Sequence, residues 1–143
     1  MAKDNRFNQD AITEAGAIPP LVAMLTSPAA QMQANAAGAL ANLAHNHPDN
    51  QGAIARTGAV APLCTLVREG SDETKDESAW AIWSLATENG PNKDTIAKLG
   101  GIDPLLALLV RGPRRTASAI AGYYAVRFAS PTWRKAVRHM AAM

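Results

Sequence analysis

Residues 15–25 read AGAIPPLVAML, and the same pattern returns as TGAVAPLCTLV at residues 57–67 and as LGGIDPLLALL at residues 99–109. The three segments align without gaps at a spacing of 42 residues. A fixed spacing of this size is typical of repeat proteins, in which each unit buries its apolar side against the next unit. We therefore predict a stack of similar units.

Each unit is predicted to contain three helices. A short first helix starts at Asn8 and ends at Gly16, because glycine readily adopts the left-handed conformation that ends a helix. Pro20 then lies in the first turn of a second helix, where its missing N–H costs little. In the third unit Asp103 is the expected N-cap of this helix. A turn and a third helix of about 15 residues complete the unit.

The period and the three-helix content match the armadillo class, whose repeats span about 40–47 residues. The segments quoted above, together with AWAIWSLA at residues 79–86, closely resemble the armadillo repeat family over about residues 8–129. This resemblance implies an all-α fold, a right-handed α-solenoid of about three armadillo-type repeats. HEAT repeats are the alternative, although they usually have two helices and lack the glycine found here at residues 16, 58 and 100.

The repeats are interpreted as one domain over residues 1–143, with units at about 8–49, 50–91 and 92–130. Residues 131–143 are interpreted as the start of a fourth repeat or as a C-terminal helix. Neither end has an obvious polar cap, although solenoids need one. We therefore expect a fragment of a longer array, or a stack that self-associates through its ends.

Composition and motifs argue for a non-enzymatic intracellular protein. A single cysteine, Cys64, permits no internal disulfide, and we expect a buried, inert thiol. No apolar run is long enough for a membrane span, and the N-terminus lacks a secretory pattern, so we expect a cytoplasmic or nuclear location. No nucleophile motif, phosphate loop or metal-ligand set is found, so no catalytic activity, cofactor or metal is expected.

The resemblance implies a peptide groove lined by the third helices. In such repeats an acidic or polar residue, a tryptophan three residues later and an asparagine four residues after that face the groove. The tryptophans flank pockets for partner side chains, and the asparagine holds the partner's main chain. These positions are Asn35, Gly38 and Asn42 in the first repeat, Glu77, Trp80 and Ser84 in the second, and Ala119, Gly122 and Val126 in the third. Only one tryptophan and one asparagine remain, which argues against a nuclear-import receptor.

The second repeat nevertheless contains a coherent cation site. Glu73, Asp76 and Glu77 lie within about two helical turns of Trp80, on neighbouring faces. An Arg or Lys side chain could lie over the indole and pair with these carboxylates. We therefore predict an extended, basic protein segment as the partner, bound by Asn35, Asn42, Glu73, Asp76, Glu77, Trp80 and Ser84.

Other interpretations of these residues stay open. Acidic residues in the first turn of a helix, such as Asp72 and Glu73, are stabilised by the helix dipole without any ligand. Trp80 could instead pack against the next repeat, and Trp83 is expected to pack in the core or between repeats. His45 and His47 are interpreted as helix-terminal residues, because no further metal ligand lies near them in sequence.

An anionic partner is the alternative function. Residues 1–103 carry a formal charge of about −5 and residues 104–143 about +7. Nucleic acid or an anionic membrane could bind this basic region through phosphate contacts. We favour this less, because the charges are spread thinly over Arg111, Arg114, Arg115, Arg127, Arg134, Lys135 and Arg138.

Overall fold

The computed structural model describes residues 6–111, and all regular secondary structure in that range is α-helical. The helices in chain order are α1 (Arg6–Glu14), α2 (Ile18–Met24), α3 (Ala30–Ala44), α4 (Pro48–Arg56), α5 (Val60–Glu69), α6 (Asp72–Ala86), α7 (Gly90–Lys98) and α8 (Ile102–Arg111). Equivalent helices begin 42 residues apart, at residues 6, 48 and 90 for the first helix of each unit. The predicted all-α repeat is confirmed, and both described third helices have the predicted 15 residues.

The third helices α3 and α6 form the most extensive helix pair among the described residues. Their contact is made largely of alanine, and Ala36, Ala37, Ala41, Ala79 and Ala81 are completely buried. Small side chains allow two helix backbones to approach closely. The alanine-rich composition therefore produces a continuous wall of third helices, with α2 packed on α3 and α5 packed on α6.

Burial increases from the first unit to the second. Leu63 and Ile54 are completely buried, whereas the matching Leu21 is partly buried and Ile12 is 39% exposed. Among the described residues, no helix packs on the outer side of α1, so this end of the stack leaves apolar surface in contact with solvent. Self-association through the ends stays a prediction.

Buried amides of the first helices bond to the ends of third helices. The glutamines bond to the third helix of their own repeat, and the asparagines bond to the third helix of the preceding repeat. Gln51 Nε2 donates to the carbonyls of Ser84 and Thr87, at 2.9 and 3.1 Å, and Gln9 makes the equivalent bonds one repeat earlier. Asn92 Nδ2 donates to the carbonyl of Leu85 at 2.8 Å, as Asn50 does to the carbonyl of Leu43. These amides satisfy the last carbonyls of α3 and α6, which have no partner inside their own helices. The asparagines that open the second and third predicted repeats, Asn50 and Asn92, are therefore structural.

The side chains that cap the described helices differ from the one cap predicted from the sequence. His47 caps α4, since its Nδ1 accepts the N–H of Asn50 at 3.1 Å, and its Nε2–H donates to Asp10 Oδ1 at 2.6 Å. Asn89 caps α7 at the equivalent position. The prediction that Asp103 caps α8 is wrong: that helix already begins at Ile102, so Asp103 lies inside its first turn. The first helices also begin two residues before the predicted asparagine.

The predicted left-handed glycines are confirmed, with φ values of 83°, 86° and 73° at Gly16, Gly58 and Gly100. We expect Gly58→Ala to lower the free energy of unfolding by about 1–2 kcal/mol, because a Cβ disfavours this conformation. Nothing lies within 4 Å of a Cβ added at Gly58, so crowding would not contribute. Urea denaturation followed by circular dichroism measures the change.

Gly90→Ala is the matched control for that substitution. Gly90 is the first residue of α7, has no positive φ and also has open space around an added Cβ. Alanine there should leave the free energy of unfolding unchanged or raise it by up to about 1 kcal/mol. Equal losses in the two variants would contradict the conformational explanation.

Cys64 is buried in α5, as predicted. Burial raises the pKa of the Cys64 thiol to about 11, and the nearby Arg68 opposes this only in part. The thiolate, which is the reactive form, is therefore scarce in the folded protein near neutral pH.

None of the helices within residues 6–111 has the length and apolar character required to span a bilayer. The arginines proposed for an anionic partner, the third helix of the third repeat and the proposed fourth-repeat segment lie outside the described residues, apart from the backbone of Arg111.

Candidate functional site

One face of α6 carries carboxylates in its first half and indoles in its second half. Glu73, Asp76, Trp80 and Trp83 follow each other at steps of three and four residues, so they share one stripe of the helix. Glu73 is exposed, and the other three side chains are partly buried. This arrangement places negative charge next to an aromatic surface on a rigid helix.

The neighbouring stripe on α3 is polar. Asn35, Gly38, Asn42 and His45 are also separated by three and four residues, and His45 directly follows the last residue of the helix. Asn35 and Asn42 are exposed, as a partner-binding role requires. Asn35 Oδ1 accepts a hydrogen bond of 3.0 Å from Gln31 on the same helix, which leaves the amide N–H₂ of Asn35 to reach a partner.

The two stripes meet at Gly38. A Cβ added to this glycine would lie 2.8 Å from Glu77 Oε2, so the carboxylate of α6 reaches across to α3 and covers the glycine. In the second repeat the position equivalent to Gly38 is Trp80. The carboxylate of Glu77 therefore covers this position in the first repeat, and the indole of Trp80 occupies it in the second.

Three rings cluster where α3 ends beside α6, and we name His45, Trp80 and Trp83 the aromatic shelf. The centroids of Trp80 and Trp83 are 4.4 Å apart, with 20° between the ring planes. His45 lies 6.2 Å from Trp80 and 5.9 Å from Trp83, at interplanar angles of 18° and 25°. Both indoles also pack against the core, so the shelf is fixed in place while part of it stays accessible.

Two predicted site residues are placed differently from the others. Ser84 is 1% exposed, and its Oγ has no hydrogen-bond partner within residues 6–111. This hydroxyl does not lie on the accessible surface, in contrast to Asn42 at the equivalent position of the first repeat. Asp76 is partly buried, and its Oδ1 is likewise buried without a hydrogen-bond partner in that range.

His45 is the functional candidate that the sequence analysis missed. Its signal was available, because residues 35, 38, 42 and 45 continue one helical stripe at steps of three, four and three. His47, two residues later, is buried as a helix cap, so the two histidines have different roles. Within residues 6–111 no three His, Cys, Asp or Glu side chains are arranged to hold a metal ion.

Comparison with solved structures gives the same architecture. An engineered protein of the Northeast Structural Genomics Consortium superposes with a TM-score of 0.78 at 29% identity, covering 84% of this chain and 49% of that one. A designed armadillo repeat protein in complex with the peptide (KR)4 gives 0.77 at 27% identity, with coverages of 85% and 51%. A computationally designed armadillo repeat protein for modular peptide recognition gives 0.77 at 26% identity, with coverages of 83% and 50%. The chain spans about half the length of these proteins.

No match to the chain was found among curated proteins. The Armadillo/beta-catenin-like repeat family, however, matches residues 4–45 and 47–87, which together are more than half of the chain. These two segments correspond to the two repeats that the structure describes completely, with their left-handed glycines and paired third helices. The chain therefore belongs to the Armadillo/beta-catenin-like repeat family.

Proposed function

We propose that this protein is a non-enzymatic scaffold that binds an extended, basic segment of a partner protein across α3 and α6. The observation that carries the proposal is the stripe of Glu73, Asp76 and Trp80 beside the exposed asparagines of α3. A lysine or arginine side chain over the indole would pair with the carboxylates, and Asn42 would hydrogen-bond the partner's main chain. The designed armadillo protein in complex with (KR)4, a strictly basic peptide, supports this choice of partner.

The affinity expected from these groups is low. A cation–π contact contributes about 0.5–2 kcal/mol, an exposed ion pair about 0–1 and one hydrogen bond about 1. Their sum is at most about 4 kcal/mol, whereas micromolar binding requires about 8. We therefore propose millimolar binding by this chain alone, with higher affinity when further repeats lengthen the groove.

The test is an NMR titration of the full chain with (KR)4 at low salt, followed through the backbone and indole N–H signals. We expect shifts confined to α3 and α6, and weaker binding as salt screens the carboxylates. Trp80→Ala should raise the dissociation constant roughly threefold to thirtyfold, because the cation–π contact is lost. An unchanged dissociation constant in this variant would remove Trp80 from the site.

Two acidic positions provide a matched pair for the same titration. Glu77→Gln removes a charge from the groove, where this side chain covers Gly38. Asp94→Asn removes one from the exposed surface of α7. We expect only the first variant to weaken (KR)4 binding. Equal weakening would indicate attraction by the overall charge instead of a groove site.

A further inference from the structure

Trp83 covers one face of Trp80. Two indoles with centroids 4.4 Å apart and planes within 20° are in stacking contact, so neither offers both faces to a partner. A side chain bound at Trp80 must therefore lie against the outer surface of the aromatic shelf.

The shelf is specific to the second repeat among the described third helices. The positions of α3 equivalent to Trp80 and Trp83 are Gly38 and Ala41, which carry no ring. His45 extends the shelf towards the first repeat, with its plane within 25° of both indoles. The stacked rings thus present the outer face of the stack, and the carboxylate of Glu77, one helical turn before Trp80, covers Gly38 on α3.

Negative charge surrounds this surface. Asp76 lies one helical turn before Trp80 and two turns before Trp83 on the same stripe. Its Oδ1 is buried without a hydrogen-bond donor among the described residues, and the side chain as a whole is only partly buried. A cationic group that also donates hydrogen bonds would complement this negative charge.

We propose that Trp83 and His45 make the aromatic shelf selective for arginine over lysine at one position of the partner. The inference rests on the proposed function and names the side chain that this part of the groove selects. A guanidinium is planar, weakly hydrated and able to stack on a flat aromatic surface while its in-plane N–H groups reach a carboxylate. A lysine ammonium is compact and strongly hydrated, so it gains less from stacking on an aromatic face.

The experiment uses three lysine-rich peptides that differ at one central residue, which is arginine, lysine or citrulline. Citrulline keeps the planar shape of arginine and lacks its charge. We expect the arginine peptide to bind the full chain roughly threefold to tenfold more tightly than either of the others. Trp83→Ala should bring the arginine-to-lysine ratio close to one, because it weakens binding of the arginine peptide more than binding of the lysine peptide.

Two milder variants guard against a folding defect in Trp83→Ala. Trp83→Phe keeps a smaller ring and should give an intermediate ratio, and His45→Thr introduces the residue found at the equivalent position 87. Circular dichroism establishes that each variant is folded. A selectivity that survives both Trp83 substitutions would overturn the role of the shelf.

The remaining outcomes separate this inference from the proposed function. Equal binding of the arginine and lysine peptides by the unaltered protein would overturn the inference and leave the basic-peptide groove standing. Equal binding of arginine and citrulline would also overturn it, because the selectivity would then not depend on a cation. Failure of every basic peptide to bind would reject the proposed function itself.

Discussion

Leu63→Ala is expected to lower the free energy of unfolding by about 3–5 kcal/mol, because it removes buried methyl groups and leaves a cavity. Leu63 is completely buried within α5 and belongs to the core shared by the two complete repeats. Solenoid repeats are stabilised mainly by contacts with their neighbours, so a cavity at this position weakens more than one repeat. Urea denaturation measured by circular dichroism at several protein concentrations gives the free energy of unfolding.

Leu21→Ala is the control, since it makes the same chemical change at the equivalent position of the first repeat. Leu21 is only partly buried, so we expect a loss of about 1–2 kcal/mol. The difference between the two losses measures how much stability the second repeat gains from lying between the helices of the first and third repeats. Losses of equal size would show that the end repeat is as well covered as the inner one, in conflict with the exposure of Ile12.

The fold was largely predictable because its determinants are local and recur at a fixed spacing. The left-handed glycines, the prolines of the second helices and the length of the third helices each follow from a few neighbouring residues. The failed cap at Asp103 shows the limit of such reasoning. An aspartate directly before a proline is typical of an N-cap. However, α8, like α2 and α5, begins two residues after its glycine, which places Asp103 inside the first turn. The repeat geometry decides the start of the helix.

The candidate site was less predictable because it depends on contacts between helices. Helical spacing correctly grouped Glu73, Asp76 and Trp80 on one stripe. It could not show that Glu77 reaches Gly38 on another helix, or that Trp83 stacks on Trp80 instead of entering the core completely. The burial of Ser84 also depends on its neighbours, since the repeat pattern alone assigned it to the surface.

Gln51→Ala is the second substitution with a large expected effect, a loss of about 2–4 kcal/mol in the free energy of unfolding. It leaves the carbonyls of Ser84 and Thr87 without the donor that satisfies them, and each buried acceptor without a partner costs about 1–3 kcal/mol. The Gln51 side chain also accepts a 3.2 Å hydrogen bond from Asn89, the cap of α7. One amide therefore joins the end of α6 to the start of the next repeat.

Gln9→Ala removes the equivalent amide at the first junction, where the bonds to the carbonyls of Asn42 and His45 are only partly buried. We expect a loss of about 1–2 kcal/mol there, because solvent can partly replace the missing donor. Hydrogen exchange should show faster opening of the last turn of α6 in Gln51→Ala, and of α3 in Gln9→Ala. That last turn of α6 includes Trp83, so we expect the Gln51 amide to help hold the aromatic shelf in position. Unchanged exchange there in Gln51→Ala would mean that core packing alone holds the shelf in position.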